Sequence, residues 1–163
     1  MKTKKTSWLI TATIFIALIN NELKAQSQAG TDSEAIFPKG RRAPANNFTG
    51  TVWVQSLIEA DSAFTIPVGY VTFEPGSRTH WHSHAGGQAL LALGGIGYYQ
   101  EKGKSIQMLR KGDTVKCPPD IPHWHGASPT VGFMQIAVTP NTAAGRVTWM
   151  QPVTDQEYKN VKP

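Results

Sequence analysis

The stretch Gly76-Ser-Arg-Thr-His80-Trp-His82-Ser-His84-Ala-Gly-Gly-Gln88 is rich in histidine. A second histidine-containing stretch follows about thirty residues later, Pro118-Pro-Asp-Ile-Pro-His123-Trp-His125-Gly126. All five histidines of the 163-residue chain lie in these two windows. Imidazole is the commonest nitrogen ligand of transition metals, and residues two apart on a strand point to the same side. The spacing of His82 and His84 therefore indicates a pair of metal ligands.

Two further residues are placed to complete a ligand set. Gln88 follows His84 at a distance that lets a turn or a continuing strand bring its amide oxygen alongside, and His123 can approach from a second strand. The alternative is that the five histidines are unrelated, but unrelated histidines would be scattered rather than concentrated with alternating spacing.

The sequence on either side of these windows predicts an all-β fold. From Phe48 onward, short apolar stretches alternate with Gly, Pro, Asn and Asp, and no amphipathic run is long enough for a substantial helix. The residues from Phe48 to the end of the chain, about 115 in number, are enough for a single core. A sandwich or barrel of short strands encloses such a core most economically. The predicted strands are 51–58, 68–73, 88–93, 97–100, 114–117 and 133–138, and only the tail from Thr154 to Lys159 has helical character.

The N-terminus predicts export. Lys2, Lys4 and Lys5 precede an apolar run over residues 8–19, and a polar stretch ends at Ala25. This pattern is typical of a secretory signal peptide. The apolar run has 12 residues, whereas a bilayer core of about 30 Å requires about 20, so a retained membrane anchor is the weaker alternative. We expect cleavage after Ala25 and a periplasmic or secreted protein that is not attached to a membrane.

Removal of residues 1–25 changes the charge balance. This segment holds four lysines and one glutamate, so the formal net charge falls from +5 to +2. No basic face interleaved with aromatic residues remains, and we expect no nucleic-acid partner.

The only cysteine is Cys117, which excludes an intramolecular disulfide. We divide the chain into a signal peptide (1–25), a flexible N-terminal arm (26–47), the β domain (48–153) and a C-terminal tail (154–163).

The two windows resemble the conserved motifs of the cupins. The first cupin motif reads Gly, five residues, His-x-His, three or four residues, Glu, six residues, Gly, and the second reads Gly, five residues, Pro-x-Gly, two residues, His. The residues that fall on these motifs are Gly76, His82, His84, Gln88, Gly95, Gly112, Pro118 and His123. Gln88 replaces the usual Glu, and Asp120 replaces a Gly. The resemblance implies a single-domain cupin fold, a double-stranded β-helix or jelly-roll barrel.

A closer resemblance covers residues 46–158 and is to small bacterial cupins that act as manganese-dependent (R)-selective hydroxynitrile lyases. It rests on the segments Phe48-Thr-Gly-Thr-Val52, Val71-Thr-Phe-Glu-Pro-Gly76, Arg78-Thr79, Trp81-His82-x-His84, Gly87-Gln88, His123-Trp-His125-Gly-Ala127, Pro129-Thr130 and Val153-Thr-Asp155. The resemblance implies a metal held by His82, His84, Gln88 and His123, with His125 as a non-ligand base. It implies Mn(II), with Fe(II), Zn(II) or Ni(II) as alternatives, and a homodimer or homotetramer. Where the lyase pattern often has a Gln near the end of the last core strand, this chain has Thr139.

The expected chemistry is cleavage or formation of an (R)-cyanohydrin, a small-molecule substrate. A cation with open coordination positions acidifies a hydroxyl, and a neighbouring imidazole such as His125 can then take the proton. Further residues are candidates for substrate binding because they precede the ligands or share a strand that can face the cavity: Val71, Phe73, Arg78, Thr79 and His80. Two alternatives stay open, namely a metal-dependent oxygenase or isomerase and a non-catalytic binding cupin.

Overall fold

The computed structural model describes residues 35–145 and 147–161, so the predicted signal peptide and the first part of the arm lie outside the described residues. Strands dominate the described part, and α1, Asp155–Lys159, is its only α-helix. The strands are β1 Arg41–Arg42, β2 Phe48–Thr49, β3 Val52–Ile58, β4 Val68–Phe73, β5 Arg78–Thr79, β6 His82–His84, β7 Gln88–Glu101, β8 Gln107–Arg110, β9 Thr114–Cys117, β10 His123–Ala127, β11 Phe133–Val138 and β12 Val147–Trp149.

The described strands pair antiparallel in two sheets that share β7. The first sheet contains β1, β3, β4, β11, β9 and the N-terminal half of β7, and the second contains β2, β5, β6, β8, β10, β12 and its C-terminal half. The curled sheets enclose the core in the barrel-like, all-β arrangement that the sequence predicts, so the all-β fold class is confirmed.

Glycines let β7 pass from one sheet to the other. Gly95 has a φ of 76°, and a Cβ atom there would collide with the carbonyl oxygen of Gly132 on the chain beside it. The register between β11 and β7 shifts between Met134 and Gln135, which marks a bulge at this point. The sequence predicts a turn between two strands here, whereas the structure shows one strand that bends.

The core lies between the two sheets, and a second cluster lies under the tail. The first contains Phe73, Leu90, Leu109 and Phe133 among its buried residues. Cys117 also belongs to it, and burial raises the pKa of its thiol to about 12, which makes it unreactive. The second packs Trp81 and Trp124 with Tyr158 of α1.

The described part of the arm runs along the edge of the first sheet. Arg41 and Arg42 of β1 pair with Val54 and Trp53 of β3, and the ring of Phe37 packs edge-on against Tyr70 at 5.4 Å. The neighbouring Ile36 is 63% exposed. Within residues 35–145 and 147–161, no helix has the length and apolar character needed to cross a membrane.

Candidate metal centre

Neighbouring strands of the second sheet bring the histidines together. His82 of β6 lies opposite His123 of β10, and Trp149 of β12 lies opposite His82 on the other side. His82, His84, His123 and His125 are all at least 93% buried. The pairing of β6 with β10 thus joins the two histidine windows of the sequence into one buried group.

The imidazole rings are close enough to share an ion. One ring nitrogen from each of His82, His123 and His125 lies within 4.8 Å of the other two. The ring of His84 lies 5.2 Å from that of His82 and 5.8 Å from that of His123, measured between centroids. Gln88 at the start of β7 brings its Oε1 to 3.4 Å from His123 Nε2. The structure therefore brings together all four predicted ligands and the predicted base.

Hydrogen bonds fix the tautomers of two of these rings. His82 Nδ1 lies 3.0 Å from the carbonyl oxygen of His80, and His123 Nδ1 lies 2.9 Å from that of Ile121. Because a carbonyl oxygen can only accept, each Nδ1 carries the proton and each Nε2 presents a lone pair. A backbone carbonyl behind a ligating histidine is the usual arrangement at protein metal sites.

The side chains of His84 and Gln88 have polar atoms that no competing hydrogen bond among the described residues keeps from an ion. Both ring nitrogens of His84 are buried without a hydrogen-bond partner among the described residues. The Gln88 side chain donates from Nε2 to Thr139 Oγ1 at 3.3 Å, which leaves its oxygen for the side of His123. A buried polar atom without a partner is costly, and an ion would satisfy the Gln88 oxygen and whichever His84 nitrogen carries the lone pair.

Burial keeps the four imidazoles neutral. It lowers the pKa of His84 to about 4, and the neighbouring His123 contributes to the shift. Burial likewise holds the pKa of His82 and of His125 well below the ordinary value, with the other histidines adding to the effect, and it lowers the pKa of His123. Neutral imidazole is the form that binds metals, so the nitrogen and amide-oxygen donors here fit a divalent transition metal.

Two cavities meet at this group. The inner cavity has a volume of about 250 Å³, and its walls include Val54, Val71 and Trp149 beside His82 and His125. The outer cavity, of about 580 Å³, is lined by the 59–62 and 139–143 segments among others. Both cavities are lined by Pro67, His84, Thr139 and Val147. A small organic molecule in the inner cavity would therefore lie against the imidazoles in apolar surroundings.

Of the predicted substrate-binding residues, one lines the inner cavity, and two others contact His125 without lining either cavity. Val71 forms part of its wall. Phe73 packs edge-on against the ring of His125 at 5.6 Å between centroids. Thr79 Oγ1 accepts a hydrogen bond from the backbone N–H of His125 at 3.1 Å, so Thr79 positions the strand that carries this histidine.

The structure does not bring the other two into either cavity. The Arg78 guanidinium donates to the carbonyl oxygen of Val153 and to the Asp155 carboxylate, and it lies over the ring of Tyr158. It therefore attaches the tail to the barrel. His80 contributes its carbonyl oxygen to His82, but its side chain lines neither cavity because the chain bends at Trp81 between β5 and β6. On an unbroken strand the two-residue spacing would point His80 and His82 to the same side, and this bend removes that expectation for His80.

Gln135 is a site residue that the sequence interpretation missed. It lies on β11, is fully buried, and places its Nε2 3.0 Å from Nδ1 of His125. The sequence interpretation directed attention to Thr139 at the end of the same strand, and Thr139 instead binds Gln88. A polar residue within the otherwise apolar run Phe133–Val138 was the available signal.

The chain is similar to known proteins both in sequence and in fold. The cupin domain family matches residues 69–132. An (R)-mandelonitrile lyase from Granulicella tundricola is 39% identical over 72% of this chain and 90% of its own length. A cupin-like protein from Thermotoga maritima is 43% identical, with a TM-score of 0.77 over 79% of this chain and 98% of that one. A DMSP lyase from Ruegeria pomeroyi, 18% identical with a TM-score of 0.54 over 93% of this chain and 73% of that one, shares the fold alone. The chain belongs to the cupins.

Proposed function

We propose that this protein is a metal-dependent lyase of the hydroxynitrile lyase type, which converts an (R)-cyanohydrin to an aldehyde and hydrogen cyanide. The observation that carries the proposal is the neutral, buried His125 beside imidazoles with free nitrogens at an apolar cavity. The identity of 39% to a relative named (R)-mandelonitrile lyase supports the same reaction.

His82, His84, Gln88 and His123 would hold the metal, for which we propose Mn(II). When bound, such a cation supplies Lewis acidity that lowers the pKa of a hydroxyl group next to it. The donors are nitrogen and oxygen without a thiolate, which suits a first-row divalent ion. Because the three imidazoles and the amide are neutral, these ligands contribute no negative charge to offset that of the ion.

His125 moves the proton. In the cleavage direction its ring nitrogen takes the hydroxyl proton, and the electron pair of the O–H bond becomes the second bond of the carbonyl. The bond between the carbinol carbon and the nitrile carbon breaks, and its electron pair leaves with cyanide. The imidazolium then returns the proton to cyanide, which restores neutral His125. Because burial holds the pKa of His125 below its ordinary value, the imidazolium is a stronger acid than an exposed one, which favours this return.

The walls of the inner cavity orient the organic group. Val54, Val71 and Trp149 offer an apolar surface for an aryl or alkyl substituent, and Phe73 holds the His125 ring edge-on. Among the described residues, the side chains that line this cavity carry no carboxylate, lysine or arginine. We therefore propose neutral cyanohydrins as the substrate class.

Incubation of the Mn(II)-loaded protein with racemic mandelonitrile tests the proposal. Cyanide release should accompany loss of the (R)-enantiomer while the (S)-enantiomer persists, as measured by chiral chromatography, and an oxygen electrode should record no uptake. Equal loss of both enantiomers at the rate of buffer would contradict the lyase function.

A further inference from the structure

The hydrogen-bond partner of the His125 ring is a single amide. Gln135 reaches it from β11 of the first sheet, whereas His125 belongs to β10 of the second. The two side chains are 100% and 96% buried, and Gln135 Nε2 lies 3.0 Å from His125 Nδ1. Among the described residues, no other group forms a hydrogen bond with this ring. Gln135 is thus the described residue whose hydrogen bond determines whether Nδ1 accepts or donates.

An amide nitrogen and an amide oxygen require opposite forms of the ring. The amide nitrogen has two hydrogens and no lone pair, so it can only donate. With this nitrogen toward Nδ1, as the structure shows, Nδ1 accepts and the neutral ring carries its proton on Nε2. His125 then presents an N–H donor to its surroundings. To accept a proton at Nε2, it needs the proton on Nδ1 and an acceptor facing it.

Gln135 can meet both requirements without a change in packing. Its Oε1 is buried without a partner among the described residues. A half-turn about the terminal torsion exchanges the oxygen and the nitrogen, which are nearly equal in size. Before the half-turn the unpartnered amide atom is Oε1, and after it the unpartnered atom is Nε2. The hydrogen bond to His125 Nδ1 is kept in both orientations. A carboxylate could only accept at this position, and a hydrocarbon could do neither.

We propose that Gln135 is a positioning residue that selects between a proton-donating and a proton-accepting form of His125. In the resting protein the amide nitrogen faces Nδ1 and holds the donating form. After the half-turn the amide oxygen accepts from Nδ1–H, and Nε2 can take up the substrate proton and return it. The catalytic use of this selection rests on the proposed function, whereas the selection itself does not.

Nitrogen-15 NMR of the full-length chain, labelled at its histidines and loaded with diamagnetic Zn(II), tests the selection directly. The wild-type His125 ring should show a protonated Nε2 and an unprotonated Nδ1. Gln135→Glu should move the proton to Nδ1, and Gln135→Met should give a mixture of both tautomers. Gln55→Met is the matched control, because the Gln55 amide on β3 donates to the Ser56 carbonyl away from His125. It should leave the wild-type spectrum.

A kinetic measurement separates this inference from the proposed function. Gln135→Met should lower kcat for mandelonitrile cleavage about 10- to 100-fold, as loss of a supporting hydrogen bond does at metal sites, with KM and bound metal nearly unchanged. An unchanged tautomer in both Gln135 variants would overturn the inference even if cyanide release stands. If the wild-type protein releases no cyanide, the lyase function fails, and the tautomer shift still decides the role of Gln135.

Discussion

His84 and His125 are the two side chains whose roles in metal binding the geometry makes most testable. The tightest group of ring nitrogens contains His125 and not His84. Among the described residues, however, neither ring nitrogen of His84 has a hydrogen-bond partner, whereas Nδ1 of His125 is bound by Gln135. A ligand nitrogen needs a lone pair directed at the ion, and with Gln135 oriented as in the structure the proton of His125 is on Nε2, so this ring offers no such lone pair until the amide turns. We therefore retain His84 as the ligand and His125 as the proton carrier.

Alanine substitution at these two positions should give opposite results. His84→Ala should lose most of its bound metal, as should His82→Ala and His123→Ala, because each removes a ligand. His125→Ala should keep the metal and lose about 10²-fold or more in turnover, the usual effect of removing a general base. Elemental analysis and cyanide release measure the two properties. An empty site in His125→Ala with a full site in His84→Ala would reverse the assignment.

The depressed histidine pKa values make the stability of the metal-free protein depend on pH. The His84 pKa is about 4 in the folded protein and about 6.5 in an unfolded chain. The unfolded chain therefore binds more protons between these values, and the free energy of unfolding falls as the pH falls from about 6.5 toward about 4. Urea midpoints should decrease over this window, and His84→Gln should show a shallower decrease. A midpoint that is constant or rises toward pH 4 would contradict the shifts.

Single residues were predictable where spacing carried the information. The grouping of His82, His84, Gln88 and His123 followed from two motifs, and the structure brings these side chains together. Gln135 and Arg78 were not predictable in the same way, because their roles depend on which neighbouring strand or tail lies across from them. These partners lie 10 and 77 residues away, and the polar residue in the apolar run of β11 marks Gln135 without identifying His125 as its partner.

Among the elements, β7 holds the barrel together because it pairs in both sheets. Gly95→Ala should lower the free energy of unfolding by more than about 2 kcal/mol, since an alanine there has an unfavourable φ and meets the Gly132 carbonyl. Gly103→Ala is a matched control: its φ is 84° and its Cβ would meet open space, so the cost should be about 1 kcal/mol. Chemical denaturation measures both. Equal losses would show that the approach of β7 to Gly132 does not constrain the bend.

Strands with aliphatic or aromatic residues at buried positions were predictable with their bounds, and strands that bury Arg and His were not. Strands β4, β9 and β11 have the bounds expected from alternating apolar residues. The ranges of β5, β6 and β10 were not predicted, although the histidine spacing indicated one strand at His82 and His84 and a second at His123, because Arg and His are poor signals of a buried strand. These are the strands that carry the site. Their polar residues are tolerated inside the barrel because they bind one another, the backbone and, as proposed, a metal.

At the scale of the whole molecule, export and assembly stay predictions. We expect the mature protein to begin at Gln26, because the charged and apolar segments before it match a signal peptide. N-terminal sequencing of the protein from a periplasmic or culture fraction checks this. Recovery of a cytoplasmic protein that retains Met1 would contradict it. The expected homodimer or homotetramer is checked by light scattering of the purified protein.

Titration of the metal-free protein with Mn(II), with cyanide release from mandelonitrile recorded at each addition, shows whether the buried histidines form a metal-dependent lyase site. Release should begin near zero, rise with added metal and level off at about one equivalent per chain. His82→Ala should show no comparable rise. Full activity before any metal is added, or no cyanide release when the site is full, would contradict the assignment.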